Sequence, residues 1–152
     1  MPIKLEHSVG VAAPAEVIWE ILADIPHWPK WNPIHPKAAG KVGFGERLTL
    51  TLTLPGDIHR QIEPSVIDWT PNEAIHWRDK SVYGLVKTTR FLEIEKLSDT
   101  GCFFHNGEIF AGLLGVRVAR SRRSSLKRGF AAVGEAMKAR AEAVWRERRG
   151  VA

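Results

Sequence analysis

VARSRRSSLKRGFAAVGEAMKARAEAVWRER, residues Val118–Arg148, is the stretch whose reading decides the fold. Apolar residues recur at Leu126, Phe130, Val133, Met137, Ala141 and Val144, in steps of four, three, four, four and three. That is the spacing of one helical face, because side chains three and four positions apart lie over one another. The other faces carry Arg122, Arg123, Lys127, Arg128, Lys138, Arg140, Glu142 and Arg148, and no proline interrupts the run. About 30 helical residues span roughly 45 Å. A helix with one apolar stripe needs a partner surface on which to bury it. The rest of the chain is expected to supply that surface as a curved β-sheet, with space left between sheet and helix.

Upstream of the helix lie two runs joined by a tight turn. Val86–Leu97 reads as a strand, Ser98-Asp99-Thr100-Gly101 as a hairpin turn, and Cys102–Phe110 as the returning strand. The first strand has an ambiguous phase, since Phe91 and Leu92 are adjacent. A bulge, or a strand apolar on both faces, accounts for it. In the second strand Cys102, Phe104, Asn106, Glu108 and Phe110 share one face; Phe103, His105, Gly107 and Ile109 share the other. The sequence leaves open which face is the inner one.

Further upstream the alternation is clearest in Glu46–Leu54. Leu48, Leu50, Leu52 and Leu54 alternate with Arg47, Thr49, Thr51 and Thr53. This predicts a half-buried strand with leucines inward. Pro55-Gly56-Asp57 reads as a turn, Ile58–Trp69 as a second strand, Thr70–Glu73 as another turn, and Ala74–Asp79 as a short strand containing Trp77. At the N-terminus Ile3–Val11 alternates as a strand. Pro14–Asp24 follows as a short amphipathic helix with Ile18, Ile21, Leu22 and Ile25 on one stripe, stopped by Pro26. The segment His27–Pro36 is rich in proline and tryptophan and reads as compact, with Trp28 and Trp31 packed at one end of the core or at a pocket entrance. Strands joined by short turns give an antiparallel sheet, so the class is α+β.

The 152 residues are enough for one domain, 1–152, with a real core. No apolar run reaches the ~18 residues that cross a bilayer, and the first residues show no signal-peptide pattern. The single cysteine, Cys102, excludes an internal disulfide and fits a cytoplasmic setting. The net charge of +5 is uneven: Arg117, Arg120, Arg122, Arg123, Lys127 and Arg128 fall in one run without an acid. Such a run is either the solvated start of a helix or a patch for an anionic partner. No nucleic-acid role is expected, because the run lacks interleaved aromatics for stacking. Homodimer formation stays open.

The order of these pieces resembles a known superfamily. VAAPAEVIWEILADIPHWPKWNP (Val11–Pro33) is similar to the opening of START-like, Bet v 1-like (SRPBCC) proteins, and most of all to the polyketide cyclase/dehydrase-like branch. FLEIEKLSDTGCFFHNGEIFAGLLG (Phe91–Gly115) and GFAAVGEAMKARAE (Gly129–Glu142) resemble the hairpin and closing helix of that branch. The resemblance implies a helix-grip fold: a curved antiparallel sheet of six or seven strands wrapped around the long C-terminal helix, with two short helices near the N-terminus. It also implies an internal cavity for an apolar or aromatic small molecule, such as a lipid or a polyketide-like compound. The alternative that it implies is a polyketide cyclase or dehydratase using the same cavity. Fold alone does not choose between them.

Residue patterns for other chemistries are missing. The six histidines show no metal-ligand spacing, and Gly40, Gly43 and Gly45 lack the lysine and helix of a phosphate loop. No metal and no cofactor are expected. A cyclisation or dehydration needs a substrate held in a bent pose and one or two proton transfers. If the Phe104 face points inward, Asn106 and Glu108 are candidates, and burial would raise the Glu108 pKa. Pairing of Glu108 with Arg90 is the plainer alternative. If the other face points inward, His105 takes the role. The expected cavity lining is Trp31, Leu50, Leu52, Trp77, Phe104, Phe110, Phe130, Val133 and Met137, although each suits plain core packing equally. Gly129 and Gly134 cost ~1 kcal/mol each inside a helix, which permits close approach of the sheet or merely loosens the helix.

Overall fold

A computed structural model describes residues 2–56 and 58–150. The chain begins with strand β1 (Ile3–Val11), helix α1 (Ala15–Ala23) and a 3₁₀ turn over Ile25–Lys30. Strands β2 (Ala38–Ala39), β3 (Thr49–Leu54), β4 (Ile58–Ile62), β5 (Ser65–Thr70), β6 (Ala74–Ser81), β7 (Val86–Ser98) and β8 (Gly101–Ala111) follow. Helices α2 (Gly115–Ser121) and α3 (Arg123–Arg148) close the chain. Apart from the two-residue β2 this gives seven strands, antiparallel throughout, beside a long C-terminal helix. It is the α+β helix-grip architecture.

Five strands form one sheet in the order β1-β8-β7-β6-β5, and β2-β3-β4 form a second. The single strand expected over Ile58–Trp69 is corrected to two, β4 and β5, which belong to different sheets. Pro64 separates them; it has no N–H for a ladder and so marks the corner. The sheets stay joined there by backbone bonds from Leu48 N–H to Pro64 O (2.9 Å) and from Val66 N–H to Glu46 O (2.8 Å). The Asp57 part of the expected Pro55–Asp57 turn lies outside the described residues.

Leu48, Leu50 and Leu54 are buried, while Leu52 is half-buried. The Phe91–Leu92 ambiguity resolves as a strand apolar on both faces. Leu92 points inward, and Phe91 covers Gly107 on the outside, where any Cβ would lie 2.6 Å from the Phe91 ring. The bulge lies further along, between Lys96 and Ser98.

The expected stripe Leu126, Phe130, Val133, Met137 and Ala141 is buried on α3. Gly134 allows the helix down onto β1: a Cβ there would sit 2.5 Å from His7 Nδ1. Gly129 does the same for Leu54, at 2.6 Å. The expected single helix over Val118–Arg148 is corrected to two, jointed at Arg122 (φ −110°, ψ 13°). No proline or glycine causes this joint. The two helices face different surfaces: α2 touches β7, β8 and β1, whereas α3 lies mainly along β1.

Candidate functional site

The inner face of β8 is the one bearing Cys102, Phe104, Asn106 and Phe110, all buried. His105 points outward. It bonds Ser8 Oγ (2.6 Å) and Glu95 Oε1 (2.8 Å) on the outer surface of the sheet, away from the interior. The His105 alternative is therefore corrected: the side chains facing inward are Asn106 and Glu108.

At the centre of the core sits a charge. Arg90 on β7 is only 4% exposed. Its guanidinium donates to Gly107 O (2.9 Å), Phe91 O (3.2 Å) and Asn106 Oδ1 (2.9 Å). Asn106 in turn donates from Nδ2 to Phe130 O of α3 at 3.1 Å, which ties sheet to helix. The guanidinium lies 4.6 Å from the Phe130 ring centroid and 6.0 Å from that of Trp77, an arrangement that suits a cation on aromatic faces. Burial pulls the Arg90 pKa down to about 10, against the opposing charge of Glu108, so the cation survives at neutral pH.

Beside it His35 is stacked on Trp28 with centroids 5.6 Å apart, and Trp77 packs against both. Its Nδ1 meets Thr51 O at 3.1 Å; a carbonyl only accepts, so this nitrogen carries the hydrogen. Its Nε2 has no partner among the described residues. Burial holds this imidazole neutral, with a pKa near 3.

These groups fill the middle of the grip. A hollow lies at one end, a cavity of about 130 Å³ lined from β3, β4, β6, β7, β8 and the two C-terminal helices. Leu52, Trp77, Phe110, Val118 and Leu126 give its apolar wall. Glu108, Thr88, Asp79, Arg60 and Arg122 also line it. Burial raises the Glu108 pKa, opposed by the Arg90 charge and by a hydrogen bond with Thr88. Glu108 is thus a carboxyl that holds its proton longer than usual, facing a mostly apolar hollow. Between β4 and β6 the cavity shares Arg60, Ile62, Asp79 and Ser81 with an open groove of about 690 Å³, where Arg47, Arg78 and Lys80 add positive charge.

Of the lining expected from sequence, Leu52, Trp77 and Phe110 border this hollow. Leu50, Phe104, Phe130, Val133 and Met137 are fully packed core instead. Trp31 lies half-buried beside a separate surface depression with Glu20 and Arg140. Trp28 plugs the core and donates Nε1–H to Leu22 O at 3.0 Å. Sequence reasoning missed Val82, Val86, Thr88, Asp79 and Arg60. Asp79 and Thr88 stand opposite each other in the β6–β7 register, a pairing that only the ladder reveals. Among the described residues no cluster of three or more His, Cys, Asp or Glu suits a metal ion.

A long helix gripped by a curved antiparallel sheet, with a hollow at their junction, defines a class of small-molecule-cavity folds. The chain belongs to the polyketide cyclase / dehydrase and lipid transport family, whose model matches residues 2–146. Among solved structures it is similar to the Zhui aromatase/cyclase from Streptomyces, with 21% identity and a TM-score of 0.77, covering 100% of this chain and 98% of that one. It is also similar to norcoclaurine synthase from Thalictrum flavum in complex with dopamine and hydroxybenzaldehyde, with 17% identity and a TM-score of 0.69 over 91% of this chain and 86% of that one. Half of the di-domain StfQ from the steffimycin biosynthetic pathway aligns too, at 17% identity and a TM-score of 0.71, covering 99% of this chain and 53% of that one. At these identities the likeness is one of fold. No curated protein matches the chain in sequence.

Proposed function

We propose that the chain, acting as a single unit in the cytoplasm, binds a small apolar or aromatic molecule in the cavity that ends on Glu108. The observation that carries this reading is a proton-retaining carboxyl set in a wall of Leu52, Trp77, Phe110 and Val118. An apolar wall with few convergent polar groups is the usual make-up of a ligand site. Glu108 then donates a hydrogen bond to a carbonyl or hydroxyl of the guest. The volume of about 130 Å³ suits a single ring, since a cavity of roughly 150 Å³ accepts benzene. A lipid or polyketide-like guest extends through the gap between β4 and β6 into the basic groove.

A second reading, a cyclase or dehydratase, is favoured by one specific feature. Asp79 also lines the cavity, and its charge raises the Glu108 pKa. Two carboxyls with unequal environments supply an acid and a base. Glu108 would protonate a leaving hydroxyl or a carbonyl, and Asp79 would accept a proton.

Native mass spectrometry of the purified protein, followed by extraction, tests the first reading; a co-purifying apolar small molecule is the expected result. A protein that carries none, and shows no heat of binding with phenol or longer aromatic ketones, would overturn it. Turnover of an aromatic polyketide that is lost in Glu108→Gln while binding persists would move the assignment to the second reading.

A further inference from the structure

The molecule carries a surface that the cavity does not explain. The turn between β6 and β7 exposes Val82 (49%), Tyr83 (105%) and Leu85 (36%), and the connection from β8 to α2 exposes Leu113 (86%). The two segments are one structure. Leu114 N–H donates to Leu85 O at 2.9 Å, and Gly112 (φ +88°) lies where any Cβ would come within 2.4 Å of that same oxygen. Val82, Tyr83 and Gly84 are three consecutive left-handed residues at φ 52°, 54° and 84°, closed by Gly84 N–H to Ser81 O (3.1 Å) and Leu85 N–H to Val82 O (3.0 Å). A β-branched valine and a tyrosine resist this conformation. Asparagine or glycine would make the turn without strain and would present no apolar tip.

Behind these tips stands positive charge. Leu113 borders a shallow depression together with Arg117 and Arg120, and the acid-free basic run continues to Arg128 with every cation exposed. No helix of the described residues is long and apolar enough to cross a membrane. Four large apolar side chains in front of a one-sign basic surface are the two components of peripheral binding to an anionic bilayer. A second copy of the chain does not fit, because it would set arginine against arginine. A nucleic acid would use the cations and leave Leu113 and Leu85 without a role.

We propose that this end of the protein docks on an anionic lipid bilayer, with Tyr83 and Leu113 entering the interface and Arg117 and Arg120 meeting lipid phosphates. Val82 and Arg122 also line the cavity, so the docked face is the one beside its mouth. The docking does not depend on what the cavity holds.

Co-sedimentation with vesicles tests this. The wild-type protein is expected to bind vesicles of phosphatidylcholine plus phosphatidylglycerol and not phosphatidylcholine alone, and to be released as salt is raised. Arg117→Glu with Arg120→Glu should abolish binding, and Tyr83→Ser or Leu113→Ser should weaken it roughly tenfold each, given the transfer energy of one large apolar side chain. Circular dichroism should be unchanged, because all four residues are exposed. A polarity-sensitive dye on Leu113→Cys gives an independent readout, since the native Cys102 is buried; its emission should shift to the blue on anionic vesicles. The idea is overturned by an unshifted dye, by serine variants that bind as the wild type does, or by tighter association with a duplex oligonucleotide than with the vesicles.

Discussion

Arg90 and Glu108 face each other directly in the β7–β8 register, yet they do not form an ion pair. The guanidinium turns to Asn106 Oδ1 and Gly107 O instead, and Glu108 lines the cavity together with Thr88. The cation thereby holds the core together.

Removing that acid has a signed consequence. The unfolded carboxyl loses its proton near its ordinary 4.5, while the folded one holds it longer. As pH rises past that ordinary value the folded state binds the extra proton, so the wild type loses stability. Glu108→Gln stays neutral and should be the more stable protein at neutral pH, with the two converging in acid. Urea melts across this range check it; a variant less stable at neutral pH would contradict the burial argument.

His35 works in the opposite direction. Its pKa falls from 6.5 to about 3, so below 6.5 the unfolded chain takes up a proton that the folded chain refuses. Stability is full above that value and declines as pH drops toward 3, with a slope of up to about 1.4 kcal/mol per pH unit from this group. His35→Gln should flatten that part of the pH profile.

Arg90→Met keeps the stem but leaves Gly107 O and Asn106 Oδ1 without their donor. Orphaning such buried acceptors costs about 1–3 kcal/mol each. The variant should melt in denaturant at a clearly lower midpoint, and the amide of Gly107 and its neighbours should exchange faster. An unchanged midpoint would remove the network from the account of stability.

The hollow itself is tested best at Val118, a half-buried wall residue. Val118→Phe should fill part of the ~130 Å³ and abolish the heat of binding of a single-ring probe, with little loss of stability. Met137 serves this purpose badly: it is fully buried in the core, so Met137→Arg should unfold the chain whatever the cavity holds.

Gly134→Ala removes a helix penalty of ~1 kcal/mol but drives a methyl group to 2.5 Å from His7 Nδ1. The single variant should be less stable than the wild type. Pairing it with His7→Ala should recover more than the two separate effects predict, a coupling that a double-mutant cycle measures.

The helix stripe, the leucine strand and the Phe91–Gly115 hairpin were all readable from the chain, because each is a local period that tertiary contacts reinforce. Pro64 was equally visible, and its missing N–H announced the corner between β4 and β5. The cavity was harder to read. Leu52 and Leu50 belong to one strand face, yet one borders the hollow and the other is packed core. Nothing in their chemistry separates a wall from an interior. Arg90 was legible only as a charge on a strand; its burial depends on Phe130, forty residues later, and on the turn of Asn106 toward that helix.

The joint at Arg122 divides mechanical labour. The stripe that anchors the grip belongs to α3, whereas Val118 sits on α2, a segment of seven residues. On the proposed reading, a guest bulkier than one ring would require the short lever to swing while the long shaft stays seated. Amide exchange should run faster along Gly115–Ser121 than along Leu126–Ala141 and slow down once a guest is in place. Size preference, on this view, is set by how far one hinge yields.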